Sequence, residues 1–551
     1  MRLVFQVLMS GGIGLLSGSL WQPAFSQTSP LPTNIQTIEI PEADLEQTLP
    51  STEENVPAEP LTDDTDVTIP VPSDILLPVG ETCFQEETRN ELRSSEENSF
   101  IVKQIKITGE LTVLQDEISD LVERFLFEAS SSMMPLETFA GRQTTLAELL
   151  DLRSCIQALY ISEGYITSGA FLPNHQEVQD GIVEIQVVEG SIEEIQINGL
   201  KRLKDYYVRD RITPATSSPV NVSQLEERLR LLQIDPLIDT IDAEITAGRE
   251  SGQNILVLDV AESPALVVNL ALSNTRAPSV GSVQGSPTIV YRNVLGFGDR
   301  ASAQYSRSEG LNLYSVGYAV PINALDGSLS ARYELGESRI ITPQFEEADI
   351  RSETETISVN FRQPVSRSLS SEFALGVGFD VREGRSFILD NRPFSFSRGP
   401  EDGVSRVSVI RFSQEWLSRD VDTVLAARSQ FSFGIDAFGS TINDSGTDGR
   451  FVAWTGQFQL VQQFNPGERL LTRVNTQLTP DSLLPLERFS LGGVSTVRGY
   501  AQNELVTDNG VAVSVEYQRP LLREPEKLKL VPFVDFGAGW NSGTRYAELS
   551  T

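Results

Sequence analysis

From Ala265 to Trp540 the chain alternates between apolar and polar residues, and no stretch of it keeps a helical period. Thirteen segments carry the alternation. They run Leu266 to Leu272, Thr288 to Arg292, Ala301 to Ser306, Leu313 to Ala319, Leu329 to Leu335, Ile357 to Phe361 and Phe373 to Phe379. The rest are Val407 to Trp416, Val424 to Phe438, Val452 to Phe464, Leu470 to Leu478, Val511 to Tyr517 and Leu530 to Trp540. One face of these segments is apolar and aromatic; the other carries Ser, Gln, Asn, Arg and Asp. Side chains on a strand point alternately to opposite faces. The pattern therefore fits an antiparallel barrel with a wet interior, or a soluble sandwich whose polar faces lie outside.

The N-terminus weighs on that choice. Arg2 precedes a mostly apolar run from Leu3 to Leu20, ending near Ala24-Phe25-Ser26 in a small-x-small pattern. This is the form of a cleaved export signal, so residues 1–26 are expected to be removed. Beyond residue 26 no run of about 18 apolar residues follows, so a membrane location requires a β-barrel. The export pattern, the number of strands and the recurrent glycines favour the membrane barrel.

Residues 27–97 have a different character. From Thr28 to Thr82 there are twelve Asp or Glu and nine Pro, without a single Lys or Arg. Such a stretch buries too little apolar surface to offset its ordering entropy, and is expected to be an extended, disordered linker. The net charge of −33 argues against nucleic acid as a partner, because a phosphate backbone demands a basic surface. Two cysteines, Cys83 and Cys155, can form one bridge in an oxidising compartment. That disulfide would staple the linker's end to the helix carrying Cys155.

Between linker and barrel, one β-α-α-β-β unit occurs twice. In the first copy, residues 98–190, a strand runs from Phe100 to Ile107 and stops at Gly109. Helices follow from Leu114 to Phe127 and from Thr145, a plausible N-cap, to Ser162. Strands from Tyr165 to Leu172 and Ile182 to Val188 close it. The second copy, residues 191–262, has strands from Ile192 to Ile197, Ile241 to Ala247 and Ile255 to Val260. Its helices run Asp205 to Ile212 and Val222 to Gln233. A helix pair on a three-stranded sheet leaves edges that can accept an extended chain.

Two short motifs stand out near the end. Val497-Arg498-Gly499-Tyr500 lies in a polar, glycine-containing stretch that reads as a loop. Phe533-Val534-Asp535-Phe536-Gly537 lies in an alternating run, with Asp535 opposite Val534, Phe536 and Trp540. If the apolar face meets lipid, Asp535 points into the lumen, where a carboxylate needs a partner. An inward-folded Arg498 supplies one, with Gly499 allowing a tight turn and Tyr500 adding a packing face. Taken singly, either motif leaves the plainer reading ahead: a surface arginine on a loop and an unrelated lumen-facing aspartate.

Together with other segments these motifs resemble a family. The first repeat closes on Gly164-Tyr165-Ile166-Thr167-Ser168-Gly169-Ala170-Phe171-Leu172-Pro173, and Val188-Glu189-Gly190 stands at the junction. Asn293-Val294-Leu295-Gly296-Phe297-Gly298-Asp299-Arg300, Arg362-Gln363-Pro364 and Asp508-Asn509-Gly510 match as well. The chain resembles the two-partner-secretion transporters (TpsB proteins, haemolysin secretion/activation type), in a form similar to cyanobacterial members. They belong to the BamA-type superfamily, which joins periplasmic POTRA domains to an outer-membrane barrel.

The resemblance implies two α+β POTRA domains at residues 98–190 and 191–262, and an antiparallel transmembrane β-barrel over 263–551. It implies binding of an unfolded secreted partner with an N-terminal secretion domain, and its passage through the barrel. Outer-membrane lipid and the barrel assembly machinery would be further partners. The loop bearing Val497, Arg498, Gly499 and Tyr500 would lie against Phe533, Asp535 and Gly537, and Glu516 shares their polar parity. Two other readings are an assembly factor that inserts barrels, normally with more POTRA units, and a passive porin-like channel, which needs none.

Three departures from the family pattern produce their own expectations. An N-terminal plug helix is reduced to Ile35 to Leu49, interrupted by Pro41. Asn174 and His175 intervene before Gln176. The chain reaches Leu549-Ser550-Thr551 soon after the thirteenth strand, whereas the family barrel has about sixteen. The expectation is a barrel incomplete at the C-terminus, open between its first and last strands. Enzymatic motifs are missing: there is no Gly-x-Ser-x-Gly, His-Glu-x-x-His, P-loop or Cys-x-x-Cys. No catalytic residue, cofactor or metal is therefore expected. Asn443 to Gly449 lacks the closing glutamate of a calcium loop and reads as an extracellular loop tip.

Overall fold

A computed structural model describes residues 99–109, 111–127, 141–173, 176, 180–444, 446–522 and 528–542. The export signal, the acidic linker, the plug candidate, Cys83, Asn174 and His175 lie outside the described residues. Contacts divide the chain into one unit that ends at Ser263 and another that starts at Pro264.

The first unit holds two repeats of one topology. In the first, strand β1 (Phe100–Val102), β2 (Gln104–Thr108), helix α1 (Gln115–Phe127), β3 (Arg142–Thr144), α2 (Leu146–Ser162), β4 (Gly169–Phe171) and β5 (Ile182–Val188) follow in order. The main sheet runs β2-β5-β4, with β2 parallel and β4 antiparallel to β5. In the second, β6 (Ser191–Asn198), α3 (Asp205–Ile212), α4 (Val222–Gln233), β7 (Ile238–Ala247) and β8 (Gln253–Glu262) form a sheet β6-β8-β7. Here too the first strand is parallel to the last, and the last is central.

Two expectations for the first repeat need correction. The single strand from Phe100 to Ile107 is split at Lys103, whose backbone N–H and that of Gln104 both donate to the Gly181 carbonyl. Val102 and Ile105 are thereby both buried despite three-residue spacing, and β1 pairs instead with β3, a strand too short to show alternation. The strand expected from Tyr165 to Leu172 shrinks to Gly169–Phe171, because Tyr165 to Ser168 form a turn closed by Ser168 N–H on the Tyr165 carbonyl.

Helix α2 starts on a capping box. The Glu148 N–H donates to Thr145 Oγ1 at 3.3 Å, and the Thr145 N–H donates to Glu148 Oε2 at 3.0 Å. It buries Leu149, Leu152, Ile156 and Tyr160 against the sheet, together with Ile118 and Phe125 of α1. The second repeat packs Leu225, Leu229 and Leu232 of α4 over Leu256 and Leu258. Each fully buried side chain of this size contributes roughly 1.5–3 kcal/mol.

The two repeats use one closing device. A Cβ at Gly109 would stand 2.0 Å from the Val187 carbonyl oxygen, and one at Gly199 would stand 2.3 Å from that of Val260. Both glycines also have positive φ. Two residues beyond each carbonyl stands a glutamate. Glu189 accepts the N–H groups of Thr112 and Val113 at 2.9 and 3.1 Å, and Glu262 accepts those of Lys201, Arg202 and Leu203 at 2.7–2.8 Å. Asn221 joins the copies: its Oδ1 caps α4 by accepting from Gln224 N–H, and its Nδ2 donates to the Glu163 carbonyl.

The second unit is an antiparallel meander. Its strands are β9 (Leu266–Ser273), β10 (Gln284–Arg292), β11 (Arg300–Arg307), β12 (Leu311–Pro321), β13 (Ser328–Arg339), β14 (Arg351–Arg367) and β15 (Ser371–Ile388). Beyond the two-residue β16 (Arg392–Pro393) come β17 (Val404–Arg419), β18 (Thr423–Ile435), β20 (Phe451–Asn465), β21 (Glu468–Leu478), β25 (Asn509–Pro520), β26 (Lys529–Leu530) and β27 (Phe533–Trp540). Short segments β19 (Thr447–Asp448), β22 (Ser482–Leu483), β23 (Phe489–Leu491) and β24 (Leu505–Thr507) lie apart from it. All thirteen expected segments lie in this 15-stranded sheet, where β26 and β27 both pair with β25 and so complete the thirteenth segment. Among the described residues, β9 and β27 are not paired with each other, so the barrel is open there.

Strands β14 and β15 are 17 and 18 residues long, well beyond the expected segments. Their extensions carry charges such as Glu353, Glu383 and Arg385 on the face that is apolar elsewhere, which hides the alternation. The strand expected to reach Phe438 ends at Ile435, where Phe438 adopts a positive φ in a turn. Alternation sorts the faces as anticipated: Val316, Ile357, Val377, Trp416 and Phe433 are exposed on the outside. The inner face lines a cavity of about 430 Å³ with residues that include Arg332, Asn360, Asp380, Arg411 and Gln457.

Candidate functional site

The segment between β21 and β25, residues 479–508, folds back against the inner face of the sheet. Strands β23 and β24 pair as a short hairpin whose tip carries Arg498. Its seat is made of missing side chains. A Cβ at Gly510 would meet the Phe489 ring at 2.2 Å, one at Gly537 would meet Val497 Cγ2 at 2.7 Å, and one at Gly539 would meet Thr507 Oγ1 at 2.5 Å. Glycines at alternate positions on the inner face of β27 thus make room for the loop's own side chains.

Arg498 stands at the centre of this seat. Its Nε donates to Asp535 Oδ2 and one terminal nitrogen to Oδ1, both at 2.8 Å, while its backbone N–H donates to Oδ2 at 2.9 Å. The other terminal nitrogen donates to Glu516 Oε2 at 2.8 Å, and Ser514 Oγ accepts a further bond at 3.1 Å. The guanidinium carbon lies 3.5 Å from the centroid of the Phe533 ring. The planar fork is satisfied on every edge and stacked on one face, which an ammonium group cannot reproduce. Asp535 has a side-chain exposure of 2 %, so its charge depends on this partner.

Gly499 has φ +92° in open space, so its backbone conformation, and not crowding, requires glycine. Tyr500 does not provide the expected packing face. Its side chain is 65 % exposed, and Phe533 of the facing strand takes that place against Arg498.

The loop's neck is tied by Asp508 and Asn509. Asp508 is buried and accepts the N–H groups of Leu483 and Ser542, both at 3.0 Å. Asn509 accepts from Thr479 N–H at 2.7 Å and donates to Ser542 Oγ at 2.7 Å. These bonds close the two ends of the loop on each other and on the end of β27. Ser514, Phe533's stacking and the neck's bonding were not anticipated as parts of the site. Inner-face parity with Glu516 and Asp535 was the signal available for Ser514.

Cys155 lies buried on α2 and is disulfide-bonded. Cys83, the other cysteine of the sequence, lies outside the described residues. Among the described residues no group of acidic, histidine or cysteine side chains has the arrangement of a metal site. None of the described helices is long and apolar enough to cross a membrane.

Residues 252–550 match the family of haemolysin secretion/activation proteins ShlB/FhaC/HecB, and residues 100–190 match the ShlB-type POTRA domain. The chain belongs to the haemolysin secretion/activation family. Among relatives of this family, the heme/hemopexin transporter protein HuxB of Haemophilus influenzae is 20 % identical over 432 residues, covering 73 % of this chain and 72 % of HuxB. The outer membrane transporter CdiB of Escherichia coli is 23 % identical over 367 residues, covering 64 % of this chain and 60 % of CdiB, less than two thirds of its length. The solved structure of CdiB from Escherichia coli superposes with a TM-score of 0.58 at 20 % identity, covering 81 % of each chain. The family places the sheet in the outer membrane as a barrel and the POTRA repeats in the periplasm. Its members are transporters, and the inner face of the sheet is the wall of their lumen.

Proposed function

We propose that this family member binds an unfolded secreted partner through its two POTRA repeats and passes it through the barrel lumen, past the loop held by Arg498. The observation that carries the reading is the inward hairpin seated in a polar lumen, on a chain that also presents open sheet edges. Strand β7 offers ten residues whose outer edge is unpaired among the described residues, a template for strand addition by an extended partner. Such backbone bonding is indifferent to sequence and suits an unfolded client. The Arg498 cluster gives the loop a discrete seated state. Leaving that seat strands the buried Asp535 and leaves Glu516 with its bond from Gln518, so release requires compensating interactions that a passing chain can supply.

Outer-membrane lipid is the solvent of the outer face, and the barrel assembly machinery is the route by which the strands enter it. A passive pore does not require periplasmic repeats. An assembly factor shares the Arg498 seat, but the two repeats among the described residues are fewer than that role normally employs. The test is export itself: deletion of the gene should remove a secreted polypeptide from the medium and leave it in the periplasm. Complementation by the wild-type chain should restore it. Unchanged medium proteins on deletion would refute the transport reading.

A further inference from the structure

The loop is fastened a second time, at its root and to a different part of the wall. A short 3-10 turn, Pro485–Glu487, precedes the hairpin. Glu487, 1 % exposed, accepts from Arg382 of β15 at 2.9 Å and from Arg411 of β17 at 3.0 and 3.1 Å. Arg382 also donates to the Leu486 carbonyl at 2.7 Å. Arg411 is shared with Asp380 at 2.5 Å and with Ser432 Oγ at 2.8 Å. Two guanidinium groups thus balance two carboxylates.

Around this cluster the lumen is apolar. Val407 and Val409 point inward from β17, Phe451 and Ala453 from β20, and Leu483, Leu484 and Leu486 of the loop pack against them. A Cβ at Gly384 on β15 would stand 3.2 Å from Leu486 Cδ2, so this glycine too clears space for the loop.

Root and tip are unlike. The root pairs a neutral, buried charge cluster with an apolar plug, and both partner arginines are at most 10 % exposed. At the tip, one guanidinium with 22 % exposure serves two carboxylates, of which Asp535 is 2 % and Glu516 14 % exposed. Freeing the root would strand two buried guanidinium groups and their carboxylates together, whereas freeing the tip strands one buried carboxylate and returns its guanidinium to water. Strands β18, β20 and β21 separate β17 from β25 in the sheet, so the two fastenings hold the loop across the lumen. We propose that Glu487 is a fixed anchor of the loop, a positioning residue about which the tip swings when Arg498 leaves Asp535. The inference rests on the lumen being the transport path, but it concerns loop motion and is tested without export.

The experiment measures labelling of cysteine reporters by a membrane-impermeant maleimide on intact cells expressing the full chain. The reporters are Leu486→Cys at the root and Val497→Cys at the tip, with labelling of the parent chain subtracted. Heat-modifiable gel mobility establishes that each barrel is folded. In an Arg498→Ala background the tip should label at least about tenfold faster, with the root unchanged. In a Glu487→Gln background both reporters should label faster. Equal acceleration of root and tip in Arg498→Ala would overturn the proposal, as would an unlabelled root in Glu487→Gln. Neither outcome would touch the export result.

Discussion

The Arg498 guanidinium meets the Asp535 carboxylate side-on, with two parallel bonds of 2.8 Å and a third from the Arg498 backbone at 2.9 Å. A pair of this kind is geometric as well as electrostatic, because three donors fix both the position and the tilt of the acceptor. It closes a contact between residues 37 apart in sequence and fixes the tip of a loop whose root is held separately by Glu487.

Arg498→Ala should therefore reduce export while the protein remains in the outer membrane. Removing one partner of a buried pair costs about 3–5 kcal/mol, an upper bound for a lumen that admits water. Arg498→Lys should restore little, since a point charge cannot hold Asp535, Glu516 and Ser514 together. The measurement compares secreted partner in the medium with the amount of transporter in the membrane fraction. Wild-type export by both variants would remove Arg498 from the mechanism.

Acidification should loosen the second repeat, residues 191–262, at a defined place. Burial pushes the Glu262 carboxyl up, but backbone N–H donors from Arg202, Leu203 and Lys201 and the Arg202 charge outweigh it and hold its pKa below the ordinary value. The stabilisation is thus fully present above the unfolded glutamate value of about 4.3 and disappears as pH falls through the lower folded value. Hydrogen exchange at Lys201 to Leu203 should accelerate in that window, and Glu262→Gln should abolish the pH dependence. Identical pH profiles for the two chains would contradict this account.

Asn221→Ala should weaken the joint between the repeats. It removes the cap on α4 and the bond to the Glu163 carbonyl, and loss of such a cap costs roughly 1 kcal/mol. Faster limited proteolysis between the repeats is the expected sign. Unaltered cleavage would show that the joint does not depend on this side chain.

Pairing of Cys83 with Cys155 should appear as one cross-linked peptide in a non-reduced digest of the native protein. Disulfides that close loops of this length contribute about 2–4 kcal/mol, so Cys155→Ser should lower the melting temperature of the periplasmic region. Recovery of Cys83 as a free thiol would refute the pairing.

Much of this was legible because membrane strands and capped helices have short-range signatures. The thirteen alternating segments needed only side-chain parity, and Thr145 with Glu148 is a capping box readable from four residues. What escaped was set at long range. β3 exists because Lys103 turns toward Gly181, far along the chain. The root of the loop escaped because Val407 and Val409 face inward, against the polar parity, to meet leucines more than seventy positions away. Glu487 looked like any acid in an acidic chain. Only the fold sets Arg382 and Arg411 on either side of it.

Passage of a polypeptide through this lumen is the central claim, and adjacent residues on β18 test it. Gln430 lines the cavity, whereas Phe431 is exposed on the outer face. A photoreactive residue, p-benzoylphenylalanine, is introduced at each position in turn in the native host, and adducts formed during secretion are identified by mass spectrometry. The account predicts a covalent adduct with a secreted polypeptide from position 430 and none from position 431. Absence of a polypeptide adduct at 430, or equal adducts at both positions, would contradict it.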